Sequence, residues 1–464
     1  MNAIKQPFPS NPEPLREAEF EGLMEACGPW NIENPHFAVA VSGGPDSTAL
    51  ALLLDVWLQK RQGKLLALII DHRLREGSGE EARQVGGQLT SKNIPHVILT
   101  WTHEGPPQSA IHASARRARY DLLLEACRQQ GIAHLFLAHH ADDQAETILM
   151  RLSRSTGIDG LAGMAVKREQ EGILLVRPLL PVRKSRLEAT CRAQEFEFLR
   201  DPSNDWERFT RAKLRSKREA LSRAGLSVNK LADIAREAGL ARAYLETACN
   251  DWLKAHATVN AYGVASLSYP AWLAQEGPMR LRTLSRALVA VGGGEYPPRG
   301  DSLSRLCAHL AQSQGVQQTL GGCHIQLRQE TVLLMREAGL IEDEAPLSSF
   351  TPYRRWDNRF VFHFPNEATL DGATVRRLGH VSRHVLEKKG AARLAQLPAT
   401  MREGLPGIFR DSELFMLPDF ALENPLPSAQ AVVTAVFSPR HGFFVKPFMP
   451  SSFIMAHESL FGVA

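Results

Sequence analysis

The sequence has few cysteines, and none are spaced like the pairs that bind zinc or carry out redox chemistry. No Cys-x-x-Cys pair occurs, so we expect neither a structural zinc site nor a redox pair. Cysteines scattered in this way usually serve as small buried residues, as in proteins of a reducing compartment. The pattern therefore indicates a cytoplasmic protein. The six cysteines are Cys27, Cys127, Cys191, Cys249, Cys307 and Cys323.

Long apolar runs are also missing. No stretch is long enough to cross a membrane, and residues 1–36 read as a polar, proline-rich lead-in without a signal-peptide core. We therefore expect no membrane partner. The formal net charge is only +4 over 464 residues, so any nucleic-acid argument must depend on local clusters of basic residues.

Short apolar runs alternate with helical patterns in the first third of the chain. Strands separated by helices predict an α/β fold with a doubly wound parallel sheet. Ligands bind in such sheets beyond the carboxyl ends of the strands, and the polar segments 42–47, 71–75 and 139–146 each follow one of these runs. The apolar runs cover residues 37–41, 65–70, 96–101 and 133–139.

The rest of the chain changes character twice. Apolar residues recur at spacings of three and four from Leu231 to Trp252, which predicts a long amphipathic helix, and 323–337 reads as a hairpin. We predict a catalytic domain over residues 37–225, a largely helical domain over 226–345 and a small α+β domain over 352–464.

The segment FAVAVSGGPDSTALALLL, residues 37–54, combines a buried strand, a glycine pair and a helix. Glycines after a strand let several backbone N–H groups point at one spot, and the helix adds its positive N-terminal end, so an anion such as phosphate fits there. Asp46 would repel phosphate unless magnesium lies between them. The segment lacks Gly-Lys-Ser/Thr, so it is not a Walker loop. A plain turn capped by Ser or Asp is the alternative interpretation.

Acidic and histidine side chains gather at a second helix start, in residues 139–146. Asp142, Asp143 and Glu146 stand three and four residues apart, so one helix face can present two carboxylates, as a metal-dependent nucleotide site requires. Helix capping explains one acid equally well, and His139 or His140 can be an ordinary histidine at the end of a strand.

Basic residues cluster on two predicted helices. Residues 208–218 hold six basic residues and no acid, which favours contact with RNA phosphates, although an ordinary charged helix is also compatible. The candidates for RNA contact are Arg208, Lys213, Arg215 and Arg218. Arg116 and Arg119 lie on another helix, where a solvated basic face is an equally good interpretation.

Seven segments, in order and spacing, resemble the tRNA(Ile)-lysidine synthetase family of the SGGxDS pyrophosphatase-loop superfamily. The resemblance covers about residues 37–218, and it weakens beyond them. Two departures stand out: Ala212 follows Arg211 where the family has Asn, and residues 154–157 read Arg-Ser-Thr-Gly instead of Arg-Gly-x-Gly. The segments are SGGPDS (42–47), DHRLR (71–75), ARRARY (115–120), LAHHADDQAET (137–147), GIDGLAGM (157–164), RPLLPVRK (177–184) and DPSNDWERFTRAKLR (201–215).

The resemblance implies an ATP- and Mg²⁺-dependent ligase that joins free lysine to C2 of the wobble cytidine in the isoleucine tRNA with a CAU anticodon. It implies catalytic roles for Asp46, Asp143 and Arg211, with magnesium on the two aspartates. The implied nucleotide-binding residues are Ser42, Gly43, Gly44, Pro45, Asp46 and Ser47. Further active-site candidates are Asp71, His72, Arg116, Arg119, His139, His140, Asp142 and Glu146.

Three other functions stay open from the sequence. A tRNA thiolase uses the same loop but generally needs reactive cysteines, and a metabolite amide synthetase often carries a glutaminase partner. A non-catalytic tRNA-binding protein would not need an intact Ser42–Ser47 segment. The oligomeric state is also open, with a homodimer among the options.

Overall fold

The structure is a computed structural model. It describes residues 12–30, 32–73, 77–102, 111–153, 157–198, 214, 217–312, 315–342, 344–347, 355–363, 372–422 and 433–450, without the side chains of 111–117 and 218. The described residues form two compact units. One contains the residues up to Ala243 together with 448–450, and the other is Tyr244–Pro447. The domain limits expected from the sequence stay predictions.

The first unit is an α/β layer structure. Its helices are α1 (Glu17–Ala26), α2 (Pro45–Gln59), α3 (Ser78–Ser91), α4 (Ile111–Gln129), α5 (Ala141–Leu152), α6 (Ile158–Leu161), α7 (Lys184–Ala193) and α8 (Arg218–Arg223). Its strands are β1 (His36–Val41), β2 (Lys64–Asp71), β3 (His96–Thr100), β4 (His134–Phe136), β5 (Lys167–Gln170) and β6 (Ile173–Val176). Helix α9 (Val228–His256) begins in this unit and ends in the second.

Six of the described strands form one sheet in the order β3-β2-β1-β4-β6-β5. All neighbours are parallel except the edge pair of β5 and β6. The predicted parallel sheet is therefore confirmed. Strand β1 pairs with β2 on one side and with β4 on the other. Val39, for example, lies opposite Ala67 of β2 and Phe136 of β4. The polar segments that follow these strands consequently meet at one edge of the sheet.

Strand β1 is buried on both faces, which explains why it reads as a continuous apolar run. Phe37, Val39 and Val41 belong to the core cluster on one face, while Ala38 and Ala40 belong to the cluster on the other. Successive side chains of a strand point to opposite faces, so both faces of this sheet must be covered by helices.

The second unit combines helices with three sheets. Its further helices are α10 (Tyr269–Leu273), α11 (Gly277–Gly292), α12 (Gly300–Gln312), α13 (Arg383–Lys388), α14 (Ala392–Ala395) and α15 (Ala399–Arg402). Its first strands are β7 (Ala257–Val259), β8 (Ala265–Ser268), β9 (Gln317–Leu320), β10 (Cys323–Arg328) and β11 (Thr331–Arg336). The remaining strands are β12 (Ala345–Pro346), β13 (Arg355–Trp356), β14 (Phe360–His363), β15 (Thr374–Arg377), β16 (Pro406–Arg410), β17 (Glu413–Met416), β18 (Asp419–Ala421) and β19 (Thr434–Phe437).

The expected hairpin is present as the antiparallel pair of β10 and β11. It belongs to a sheet with the order β7-β8-β11-β10-β9, so the segment expected to be largely helical also carries five described strands. The last part of the unit holds two further sheets, with the orders β12-β15-β16-β17 and β13-β14-β19-β18. No helix among the described residues is both long enough and apolar enough to span a bilayer.

Candidate active site

The loop between β1 and α2 turns sharply at a glycine. Gly43 has a φ of +81°, a conformation that glycine adopts at no steric cost, and Gly44 precedes the first residue of α2. Inside the loop, the Ser47 hydroxyl accepts from the backbone N–H of Ser42 at 3.0 Å and donates to the Gly44 carbonyl at 3.2 Å. The two serine hydroxyls also lie 3.1 Å apart. These bonds fix the shape of the loop.

The start of α2 is open to a ligand. The N-cap residue Gly44 has no side chain with which to cap the helix, and Pro45 at the first position of α2 has no N–H, so the donors at this helix start are the N–H groups that follow Pro45. Those donors and the helix dipole make an anion site. This geometry favours phosphate binding over the capped turn that the sequence alone left open.

Asp46 and Asp143 converge on one imidazole at this edge. The Oδ2 atoms of both carboxylates lie 3.4 Å from His140 Nε2, and His140 is buried. Asp143 Oδ2 also accepts from the backbone N–H of His140 at 3.2 Å, so this acid does cap α5. The structure therefore brings together three residues predicted from two separate segments, and one of them has a capping role as well.

Asp46 has one carboxylate oxygen with no protein partner. Its Oδ1 is buried and accepts no hydrogen bond from any described residue. A buried carboxylate oxygen without a donor is costly, and a bound cation or water removes that cost. Asp46 Oδ1 therefore points to a ligand of the folded protein.

Asp142 has a different environment from Asp143. It is buried, and its Oδ2 accepts from the backbone N–H of Lys184 at 2.9 Å and lies 3.5 Å from Arg183 Nε. Burial lowers the pKa of the Arg183 guanidinium. Asp142 Oδ2 also lies 3.7 Å from His140 Nδ1. The contact with Arg183 and Lys184 could not be predicted from the sequence, because these residues stand some forty residues further along the chain.

Glu146 is buried on the same helix. With Asp142 it lines a small cavity of about 30 Å³ whose other walls are apolar. The cavity is thus lined by two acidic residues and otherwise by aliphatic residues. Those apolar walls are Ala145, Leu149, Leu214, Leu221, Leu226, Val228 and Leu231.

Asp71 lies at the end of β2, where it is satisfied by its own loop. Its Oδ1 accepts from the Ser78 hydroxyl at 2.6 Å and from the Arg73 backbone N–H at 3.1 Å. Burial raises the pKa of the Asp71 carboxyl, but these hydrogen bonds and the Arg73 charge outweigh burial, so the pKa lies below its ordinary value. Asp71 anchors the loop that begins with the half-buried His72.

Two histidines follow β4, and they have different partners. His139 Nδ1 accepts from Arg177 Nε at 3.2 Å, and the buried Arg177 also donates to the Ala165 carbonyl at 3.0 Å. Sequence reasoning assigned no role to Arg177, Arg183 and Lys184 beyond membership of the RPLLPVRK segment. Basic residues inside an apolar segment were the only sign of them.

Several predicted residues lie outside what the structure describes. The side chains of Arg116 and Arg218 are not described, although the backbones of these residues belong to α4 and α8. Arg119 lies partly buried on α4. The residues that fall entirely outside the described ranges are Arg208, Arg211, Lys213 and Arg215.

The carboxylates of the site fit magnesium. Among the described residues no group of three or more His, Cys, Asp or Glu side chains is arranged to hold a metal ion, so an ion would draw few ligands from protein side chains. Mg²⁺ is commonly held by one or two carboxylates together with waters and substrate phosphates. Asp46, with its unpartnered Oδ1, and the nearby Asp143 supply that kind of donor set.

Comparisons with known proteins place the chain in a family. A family model described as a PP-loop domain matches residues 16–219. The tRNA(Ile)-lysidine synthase of Rhodopseudomonas palustris is 38% identical over 314 residues, which are 65% of this chain and 90% of that protein. This chain belongs to the tRNA(Ile)-lysidine synthase family. The synthase of Ruegeria pomeroyi is 36% identical over 332 residues, which are 70% of this chain and 76% of that protein.

The tRNA(Ile)-lysidine synthases are ligases, and the resemblance predicted from the sequence motifs is confirmed. Among solved structures, a U34-tRNA thiolase from Methanococcus maripaludis matches with a TM-score of 0.41 and 14% identity, over 48% of this chain and 77% of that one. That likeness is too distant to bear on function.

The cysteines do not resemble those of a sulfur-transfer site. All six lie within the described residues, all are free thiols, and five are buried. Burial raises the pKa of Cys27, Cys127, Cys191 and Cys323 to about 12, and that of Cys307 to about 11. Since the thiolate is the reactive form, these cysteines are poor nucleophiles.

Proposed function

We propose that this protein uses ATP to join lysine to C2 of the wobble cytidine in the CAU-anticodon isoleucine tRNA. The products are lysidine, AMP and pyrophosphate. The observation that carries the proposal is the uncapped N-terminus of α2 behind the Ser42–Ser47 loop, with Asp46 facing Asp143 across His140. Membership of the tRNA(Ile)-lysidine synthase family supports the substrate.

In the first step, the C2 carbonyl oxygen of the cytidine attacks the α-phosphate of ATP. The P–O bond to the β-phosphate breaks, pyrophosphate leaves, and the base becomes adenylated. The N–H groups at the start of α2 bind the departing pyrophosphate, and Ser42 and Ser47 keep those donors in place. Asp46 and Asp143 would hold magnesium, which neutralises negative charge on the phosphates when bound.

In the second step, the ε-amine of lysine attacks C2 and expels AMP. The amine must be neutral to attack, so an acid that binds the ammonium and takes its proton is needed. The candidates are Asp142, Asp143 and Glu146. Glu146, beside the aliphatic walls of its cavity, is our candidate to bind the amine of lysine.

The basic segment 208–218 supplies the remaining roles. We propose Arg211 as the residue that stabilises charge on the α-phosphate in the transition state. Arg208, Lys213, Arg215 and Arg218 are proposed to bind RNA phosphates. A single-stranded anticodon loop presents the target base at little unstacking cost.

The test is transfer of radiolabelled lysine to unmodified bulk bacterial tRNA, with ATP and Mg²⁺. We expect label in acid-insoluble RNA that survives mild base, because the new bond is C–N and not an ester. Asp46→Asn is expected to lose about a hundredfold or more of this activity. Asp55→Asn is the matched control, since Asp55 lies further along the same helix beside Gln59 and is expected to keep full activity.

Two other outcomes would replace the proposal. AMP released on addition of tRNA, without bound label, would mean that adenylation occurs but lysine is not the nucleophile. A thiolase would then become the leading function, despite the raised pKa values of the thiols. Neither label nor AMP, with tRNA still bound, would favour the non-catalytic binding protein.

A further inference from the structure

The start of α7 lies against two acids of the site, Asp142 and Asp46. The backbone N–H of Lys184, the first residue of α7, donates to Asp142 Oδ2 at 2.9 Å. The ammonium of the same residue lies 4.0 Å from Asp46 Oδ2. Lys184 therefore contacts two parts of the site. Its backbone N–H is hydrogen-bonded to α5, and its ammonium lies near Asp46 of the Ser42–Ser47 loop.

Helix α7 is fixed beside the loop by its own packing. Cys191, two turns further along α7, donates from its buried thiol to the Pro45 carbonyl at 3.2 Å, and Pro45 begins α2. Leu187 and Cys191 share a core cluster with Leu50 and Leu54 of α2. The backbone of Lys184 is thus held beside the loop by buried contacts of α7.

The ammonium of Lys184 has capacity for a ligand. Its side chain is 38% exposed, and 4.0 Å is too long for a hydrogen bond to Asp46. Among the described residues the ammonium forms no hydrogen bond, so its three N–H donors are available at the edge where the N-terminus of α2 opens. An available cation beside an anion site is suited to phosphate oxygens.

The loop itself lacks such a cation. It has no lysine of the Walker type, and its acid Asp46 repels phosphate. We propose that Lys184 is a phosphate-binding residue that contacts the polyphosphate chain of ATP. The proposal rests on the function proposed above and adds to it a residue from outside the loop. The competing interpretation is that Lys184 only neutralises the charge of Asp46, and the test distinguishes this role from phosphate binding.

The test is calorimetric binding of a non-hydrolysable α,β-methylene ATP analogue, pyrophosphate and AMP to the full-length protein. Lys184→Met is expected to weaken binding of the analogue and of pyrophosphate about tenfold to a hundredfold, and binding of AMP less than about threefold. Lys184→Arg should recover most of the loss. Lys60→Met is the control, because Lys60 caps the far end of α2 and pairs there with Glu17.

A double-mutant cycle with Asp46→Asn decides between the two roles of Lys184. If Lys184 binds phosphate, Lys184→Met weakens analogue binding in the Asp46→Asn background too. Disappearance of the effect in that background would overturn the proposal in favour of simple neutralisation. Unchanged analogue binding, or an equal loss for AMP and analogue, would also overturn it. Failure of the unmutated protein to bind any of the three ligands would instead contradict the proposed function.

Discussion

Two groups of charged residues in this chain differ in how completely their polar atoms are hydrogen-bonded. At the candidate site of the first unit, Asp46 Oδ1 is buried and has no donor among the described residues. In the second unit, Arg336 donates to both oxygens of Asp357 at 2.8 Å, and Arg359 Nε donates to Oδ2 at 2.6 Å. The two arginines also donate to the carbonyls of Gly322 and Gly404.

This difference distinguishes a candidate ligand-binding site from a group that stabilises the fold. Both oxygens of Asp357 accept from an arginine, each arginine also donates to a backbone carbonyl, and Arg359 is only 1% exposed, so this group is closed to solvent and joined by its own hydrogen bonds. The group around Asp46 keeps donors and acceptors unmet in the protein alone, which is a stability cost that a ligand can remove. Of these two groups, the one with an unmet carboxylate oxygen lies at the candidate site.

The largest expected effect comes from making the same substitution in both groups. Asp357→Asn leaves two buried arginines without a counter-charge, and we expect it to lower the free energy of unfolding of the second unit by about 3–5 kcal/mol. Asp46→Asn changes a carboxylate whose Oδ1 has no donor among the described residues, so we expect a change in unfolding free energy below about 1 kcal/mol. Hydrogen exchange of peptides from 36–59 and 355–363 measures the two units separately. Equal destabilisation would end the distinction.

The next effect concerns the backbone that presents the unmet donors. Gly43→Ala forces a residue with a side chain into a φ of +81°, at a cost of about 1–2 kcal/mol, and we expect it to weaken binding of the ATP analogue about tenfold. Gly44→Ala should change binding less than about threefold, since the added Cβ would meet only Ser42 Oγ, at an ordinary 3.7 Å. Equal effects of the two variants would mean that the turn does not set the donor positions.

The smallest effect tests where Asp71 belongs. Asp71 lies at the site edge but is satisfied like Asp357, so we expect Asp71→Ala to destabilise by about 1–2 kcal/mol at pH 7. Because the folded pKa is below the ordinary value of about 3.9, this contribution is complete above that value and is lost as the pH falls through the folded pKa. Urea midpoints at pH 7, 5 and 3 measure the difference.

Asp55 supplies the opposite control for that experiment. Burial raises the pKa of its carboxyl, and the hydrogen bond from Gln59 only partly offsets this. Its contribution to stability therefore grows as the pH falls through the raised pKa, and Asp55→Ala should show the reverse trend. Parallel trends for the two variants would contradict the assigned pKa directions.

The sequence predicted those parts of the fold that depend on local pattern. Strands β1 to β4 read as apolar runs, and β1 does so because both of its faces are buried. The Ser42–Ser47 loop is recognisable because glycine, serine and aspartate are adjacent. Strands β7 and β9 escaped prediction since Ala257–Val259 is very short and Gln317–Leu320 is mostly exposed and polar. Tertiary pairing, and not local preference, makes them strands.

The division of labour between Asp142 and Asp143 was equally beyond the sequence. The two acids are neighbours and both lie near His140, and only the fold decides that Asp142 also meets the start of α7 while Asp143 caps α5. The same applies to Arg177 and to the arginines around Asp357, whose partners are distant in sequence. Residues whose roles depend on non-local contacts are those that pattern reading misses.

The bond from the Cys191 thiol to the Pro45 carbonyl has a consequence for the order in which the protein is made. The ribosome synthesises the Ser42–Ser47 loop before the helix that braces it, because Cys191 follows Pro45 by 146 residues. Until α7 has left the exit tunnel, the nascent chain holds the loop without its support. The first motif that the sequence shows is therefore among the last parts of the first unit to reach its finished form.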